Sequence, residues 1–237
     1  MLPPAGSTAY DARMGYSRDE RLALCTTLAE VGPDAPTLCA GWTARDLAAH
    51  LVLREHRVDA AAGIPGGPLA RHTARVQQRL AERSPFAGLI ETIRTGPPKL
   101  SPYRIPGLDE RASTVEFFVH HEDVRRGQPD WKPRHLPAGL SDELWGRLKR
   151  ARFVLRKVRI GVEYAREDDP AGDGEGSSGG SAPSYRMPVH RGTPVVTVIG
   201  TPAELTLFTA GRRGAAQVRM DGTETAISMV SQASWRL

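Results

Sequence analysis

The sequence predicts an antiparallel helical bundle over residues 1–155 followed by a small α+β domain over residues 156–237. Three observations predict it. Apolar residues recur at helical spacing behind capping signatures as far as about residue 155, the pattern of helices that each bury one stripe. Beyond residue 156 the pattern changes to alternation, in VRIGVEYAR and SYRMPVHR, and to a β-branched run, VVTVIG. A chain of 237 residues is also long enough for one sizeable core and a smaller second one.

Each element has a local reason. Ser17 with Glu20 forms a capping-box pattern ahead of Leu22, Cys25, Leu28 and Ala29, so a first helix is expected over about 18–31. The breaker-rich GPDAPTLCAGW ends it. Thr43 then caps a second helix, with Asp46 at the reciprocal position and Leu47, His50, Leu51 and Val58 as its inward stripe. A third helix is expected over 69–82, and SPFAGLIETIR adds a shorter helical piece. Pro97, Pro98, Pro102 and Pro106 keep the following stretch irregular. Asp109 opens a helix reaching about Arg126, and Ser141 caps a last long one with Leu144, Leu148 and Val154 facing inward.

In the tail, the tract EDDPAGDGEGSSGGSAPS at about 166–183 cannot bury a core. It reads as an overlong hairpin loop rather than an interdomain linker, because an alternating segment stands on each side of it, and a lone strand left on the helical domain would be an open edge. Pro202 introduces the helix AELTLFTAG, AQVRMDG reads as a strand and TETAISMVSQASW as a terminal helix.

Composition excludes several classes. With 40% hydrophobic and 25% charged residues the chain is too apolar for wholesale disorder. No segment approaches the ~18 apolar residues of a membrane span, and MLPPAGSTAYDARMGYSRDE lacks the apolar core of a secretory signal, so a cytoplasmic location without membrane partners is expected. The two cysteines, Cys25 and Cys39, form neither a disulfide framework nor a zinc pair and are read as reduced thiols. The net charge of +5 is interleaved with acids, and the densest basic cluster, RLKRARFVLRKVR, reads as the wet face of an amphipathic helix rather than a nucleic-acid surface.

The chemistry gathers in VEFFVHHEDVRR, from Val115 to Arg126. On a helix Glu116 and His120, four residues apart, share one face with Cβ atoms roughly 5–6 Å apart, so both reach one ion. Zinc takes imidazole nitrogen and carboxylate oxygen at about 2.0–2.2 Å, and a catalytic zinc keeps one position open beside three protein ligands. His50, within the inward stripe of the second helix, is the best third ligand, since helical bundles build metal sites from facing helices. The competing reading makes these histidines ordinary core residues. His121 is a rival ligand but lies about 100° round the helix, toward solvent or a neighbouring helix. Asp123 either orients the free nitrogen of His120 or forms a surface ion pair with Arg126. His56, His72, His135 and His190 have no partner at ligand spacing.

Three segments, GWTARDLAAHL at 41–51, EFFVHHEDVRR at 116–126 and the late VVTVIGTPAELTLFTAGRRGAAQVRMDG, together resemble the mycothiol-dependent maleylpyruvate isomerase family, in particular its actinobacterial metal-binding branch. The resemblance implies a DinB-like four-helix bundle carrying a divalent metal, usually zinc, followed by a small sterol-carrier-like domain. It implies His50, Glu116 and His120 as the metal ligands and mycothiol, a small thiol, as cofactor. The activity implied is cis–trans isomerisation or thiol S-transfer on a small electrophile, with neither protein cysteine needed as nucleophile. Arg212 and Arg213, in GRRG after a predicted helix, are candidate contacts to an acidic substrate or simply solvated arginines at a helix C-terminus. A non-catalytic metal- or ligand-binding protein is the alternative, and a nucleic-acid binder a third reading, which predicts salt-dependent DNA affinity.

Overall fold

A computed structural model of the protein describes residues 7–61, 63–64, 67–98, 110–149, 160–167 and 185–233. The chain forms two units, Met1–Lys132 and Pro133–Leu237.

The first unit is helical: α1 (Ser7–Val31), α2 (Ala44–His56), the short α3 (Val58–Ala61), α4 (Ala70–Arg83), α5 (Phe86–Thr95) and α6 (Glu110–Arg125). Its core joins Leu24 and Leu28 of α1, Leu47 and Leu51 of α2, Ile90 and Ile93 of α5, and Phe117 and Val124 of α6, all buried. The predicted cap of α2 is present in full: the Thr43 side chain accepts from the Asp46 amide, and the Thr43 amide donates to Asp46 Oδ2 at 2.9 Å.

At α1 the structure corrects the reading. The helix begins at Ser7, so Ser17 lies inside it and is buried rather than capping. Glu20, whose backbone partner is already supplied within the helix, turns its carboxylate to Nδ1 of His121 at 3.1 Å. Four residues on from Ser17, Arg21 makes a bidentate ion pair with Glu55 of α2 (2.6 and 2.5 Å), donates to the Ile93 carbonyl at 2.8 Å and lies 4.1 Å over the Phe117 ring. One guanidinium thereby touches α2, α5 and α6.

The second unit contains α7 (Ala138–Leu148), β1 (Gly161–Arg166), β2 (Tyr185–His190), β3 (Val195–Gly200), α8 (Pro202–Thr209), β4 (Arg219–Asp221) and α9 (Glu224–Gln232). The division at Lys132/Pro133 differs from the boundary near 155 read from the sequence, because α7 packs on α8 and its Leu148 joins the core of this unit. Pro137 directly precedes α7 and its carbonyl accepts from Leu140 and Ser141, so the helix starts ahead of Ser141, which is buried instead of capping. Leu144 and Leu148 face inward as expected; Val154 lies outside the described residues.

The sheet order is β2-β1-β3-β4. β1 and β2 pair antiparallel with Tyr164 opposite Met187, as the hairpin reading requires, although residues 168–184 between them lie outside the described residues. β3 pairs parallel with β1, so the short β2–β3 link crosses the end of β1. Two glycines permit this crossing: a Cβ on Gly192 would sit 2.5 Å from the Ile160 carbonyl carbon, and one on Gly161 would sit 2.6 Å from the Gly192 oxygen. The core beneath holds Tyr164, Val198, Leu205, Phe208 and Val230, with the Tyr164 hydroxyl 2.8 Å from Thr209 Oγ1. Among the described residues no helix is long and apolar enough to cross a membrane.

Candidate metal centre

Glu116, His120 and Asp123 stand at i, i+4 and i+7 on one face of α6, and α2 presents His50, two turns beyond its Thr43 cap, to the same place. Oε1 of Glu116 lies 3.6 Å from Nε2 of His50 and 3.3 Å from Nε2 of His120. All three ligand atoms fall within 4.8 Å of one another. Both imidazoles are buried, while the Glu116 side chain keeps 28% of its surface.

The spacing separates a metal site from a hydrogen-bonded cluster. Ligands held about 2.0–2.1 Å from a tetrahedral zinc stand about 3.3–3.4 Å apart, whereas charge-assisted N–H to carboxylate bonds close to about 2.7–2.9 Å. The Glu116 contacts have the wider spacing. A second group, Cys39, His120 and Asp123, also brings three ligand types together. There Asp123 Oδ2 is 2.9 Å from Nδ1 of His120 and 3.2 Å from Sγ of Cys39. A thiolate and a carboxylate sharing one zinc would stand about 3.6 Å apart by the same geometry. The second group is therefore closed on hydrogen bonds, and the first is the one with room for a cation.

Electrostatics treat the two imidazoles differently. Burial holds His50 below the ordinary imidazole range, which favours the neutral, ligating form. For Glu116, burial is outweighed by its contacts with the His120 and His50 rings and by the charges of His120 and Arg54, so its carboxyl stays well below the usual range. Burial also opposes charge on His120, but contacts to Asp123, Cys39 and Glu116 raise it well above the ordinary imidazole. Arg54 Nε lies 3.5 Å from the same Glu116 oxygen. The result is an anionic oxygen aimed between two imidazole nitrogens.

A cavity of about 380 Å³ adjoins His50, lined among others by Trp42, Ile64, Thr73, Ala74 and Gln77. Trp42 packs its ring 5.0 Å from that of His50.

Residues 16–99 match the family described as mycothiol maleylpyruvate isomerase N-terminal domain. The matched segment carries α2 and His50. Two solved structures, one of the mycothiol-dependent maleylpyruvate isomerase and one of a histidine-to-alanine mutant of it, share the fold: each aligns over 93% of this chain and 93% of its own, with a TM-score of 0.58 and identities of 16% and 15%. No curated protein sequence matches the chain.

In the first unit, the predicted trio His50, Glu116 and His120 converges. Asp123, fully buried, takes the first of its two sequence-level roles and holds Nδ1 of His120, while Arg126 pairs with Glu122 at 2.6 Å. His121 points to α1, between Glu20 and Thr27 Oγ1, and is no part of the cluster. Arg212 and Arg213 lie in the second unit and serve its backbone: Arg212 donates to the Ala210 carbonyl at 2.6 Å, and Arg213 to Ser231 at 2.6 Å and to Ala233. The sequence reading assigns no site role to Cys39, Trp42 or Gln77. Nothing local marks Cys39, whose partner is 84 residues away; the tryptophan beside the Thr43 cap is the one signal that could have placed Trp42 near the start of α2.

Proposed function

We propose that the protein is a divalent-metal-dependent enzyme of the mycothiol-dependent maleylpyruvate isomerase type, with zinc as the metal and a small thiol, mycothiol, as cofactor. Its reaction on a small electrophile is cis–trans isomerisation or thiol S-transfer. The finer architecture belongs to the same reading: a DinB-like four-helix bundle followed by a sterol-carrier-like domain. The single observation that carries the proposal is the position of Glu116 Oε1, at metal-ligand spacing from two buried imidazoles.

His50, Glu116 and His120 would hold the cation, two neutral nitrogens and one carboxylate leaving it net positive. When bound, such a cation favours the ionised form of a coordinating thiol and so supplies a nucleophilic sulfur at neutral pH. The protein's own groups prepare the place. Asp123 accepts from Nδ1 of His120 and so aims Nε2 at the centre. Trp42 packs beside the His50 ring. The cavity beside His50, with Thr73 and Gln77 among its lining residues, offers a volume of the size used for small organic ligands.

Metal analysis of purified protein with and without His50→Ala, followed by an assay of thiol-dependent turnover of maleylpyruvate and of electrophilic S-acceptors, tests the proposal. Metal lost in the variant together with thiol-dependent turnover in the parent is the expected result. Metal without any thiol-dependent reaction assigns a binding protein instead.

A further inference from the structure

The loop between α1 and α2 touches both imidazoles of the centre, through Cys39 on the His120 side and Trp42 on the His50 side. It is pinned to the C-terminal end of α6. The Leu38 amide donates to the Asp123 carbonyl at 3.0 Å, and Gln128 Nε2 donates to the Pro36 carbonyl at 3.0 Å. Gly127 passes so close that a Cβ there would sit 2.3 Å from the Pro36 oxygen. Inside the loop, Thr37 Oγ1 accepts from the Cys39 amide at 3.2 Å and donates to the Trp42 carbonyl at 2.9 Å. Cys39 therefore reaches Asp123 from a braced backbone rather than from a free end.

We propose that Cys39 is a positioning residue of the centre: its thiol donates to Asp123 Oδ2, the same oxygen that accepts from Nδ1 of His120, and so fixes the carboxylate that aims His120 Nε2 at Glu116. This inference rests on the metal-enzyme reading above. Asp123 is fully buried and its Oδ2 receives both contacts, at 2.9 Å from nitrogen and 3.2 Å from sulfur. Without the thiol, the carboxylate loses a donor that water cannot readily replace, and it gains freedom to turn away from the imidazole. The role requires a donor at this position and not sulfur chemistry. Serine should therefore serve where alanine does not.

The test compares the parent with Cys39→Ala, Cys39→Ser, Asp123→Asn and, as a thiol control away from the centre, Cys25→Ala. Two readouts are taken on each folded protein: cobalt(II) affinity by competition with a chromophoric chelator, and the imidazole N–H proton resonance of His120 by NMR on metal-free protein. Cys39→Ala should weaken cobalt binding about tenfold and Asp123→Asn about 10- to 100-fold, within the range for groups that orient a ligand. Cys39→Ser should lie within about threefold of the parent, and Cys25→Ala should leave affinity unchanged. The His120 resonance should persist in the parent and in Cys39→Ser and broaden or vanish in Cys39→Ala. Parental affinity and an unaltered resonance in Cys39→Ala overturn the proposal. A parent that binds no cobalt while its resonance responds to Cys39→Ala removes the metal reading and keeps the positioning role.

Discussion

His50 and His120 stand edge to face, their ring centres 5.3 Å apart, with Oε1 of Glu116 facing the Nε2 atom of each. Two imidazoles turned in this way present nitrogens to one point rather than stacking their faces. That relationship yields the first prediction. His50→Ala, Glu116→Gln and His120→Ala should each lower zinc affinity at least about 100-fold, because each removes one of the three proposed ligands. Any further loss in a double variant should be small. Metal content after dialysis against a chelator measures both; a variant that retains stoichiometric metal would remove its residue from the ligand set.

Arg21 and Glu55 form a bidentate pair in the interior of the first unit, with side chains 10% and 1% exposed. Breaking a buried pair from one side leaves the other charge without compensation, at about 3–5 kcal/mol. Arg21→Ala and Glu55→Ala should each show a loss of that size in urea unfolding. The Glu55→Gln variant, which keeps an acceptor for the guanidinium, should lose less.

Burial pushes the Cys25 thiol up from 9.0 to about 11, against the opposing pull of Arg94 and Arg21. The sign follows from the proton. A thiol whose pKa is raised in the folded chain ionises first in the unfolded one, so its contribution is whole below about pH 9 and disappears between about pH 9 and 11. Stability should fall across that window by on the order of 2 kcal/mol more in the parent than in Cys25→Ala. Denaturant midpoints measured from pH 8 to 11 check it, and parallel curves for the two proteins would count against it. Cys39, half-exposed, should react with a thiol reagent well before Cys25.

Gly161→Ala and Gly192→Ala place a methyl group into backbone on the far side of the β2–β3 crossing. Each should destabilise the second unit by on the order of 3 kcal/mol, while cobalt affinity of the first unit stays at the parental value. Thermal unfolding followed alongside cobalt binding separates the two effects.

Much of this molecule was legible locally. The Thr43/Asp46 cap, the i,i+4 relation of Glu116 to His120 and the strand character of YRMPVH and VVTVIG depend on neighbours in the chain, and each appears where the pattern placed it. Ser17/Glu20 and Ser141 carried the same kind of pattern and do not cap. A capping signature reports what a side chain offers, and a longer helix or a preceding Pro137 can make the offer irrelevant.

By itself, then, the order of residues determined most of the helices and strands, that His50 lies on an inward stripe, and that Glu116 and His120 share one helix face. Only the tertiary structure decided that His50 meets Glu116, that Asp123 turns to His120 rather than Arg126, and that Cys39 sits on Asp123. It also moved α7 to the second unit and threaded β3 alongside β1. The physical reason is range: capping and helical periodicity act within a few residues, whereas these contacts join segments whose approach is set by how whole helices bury their apolar faces.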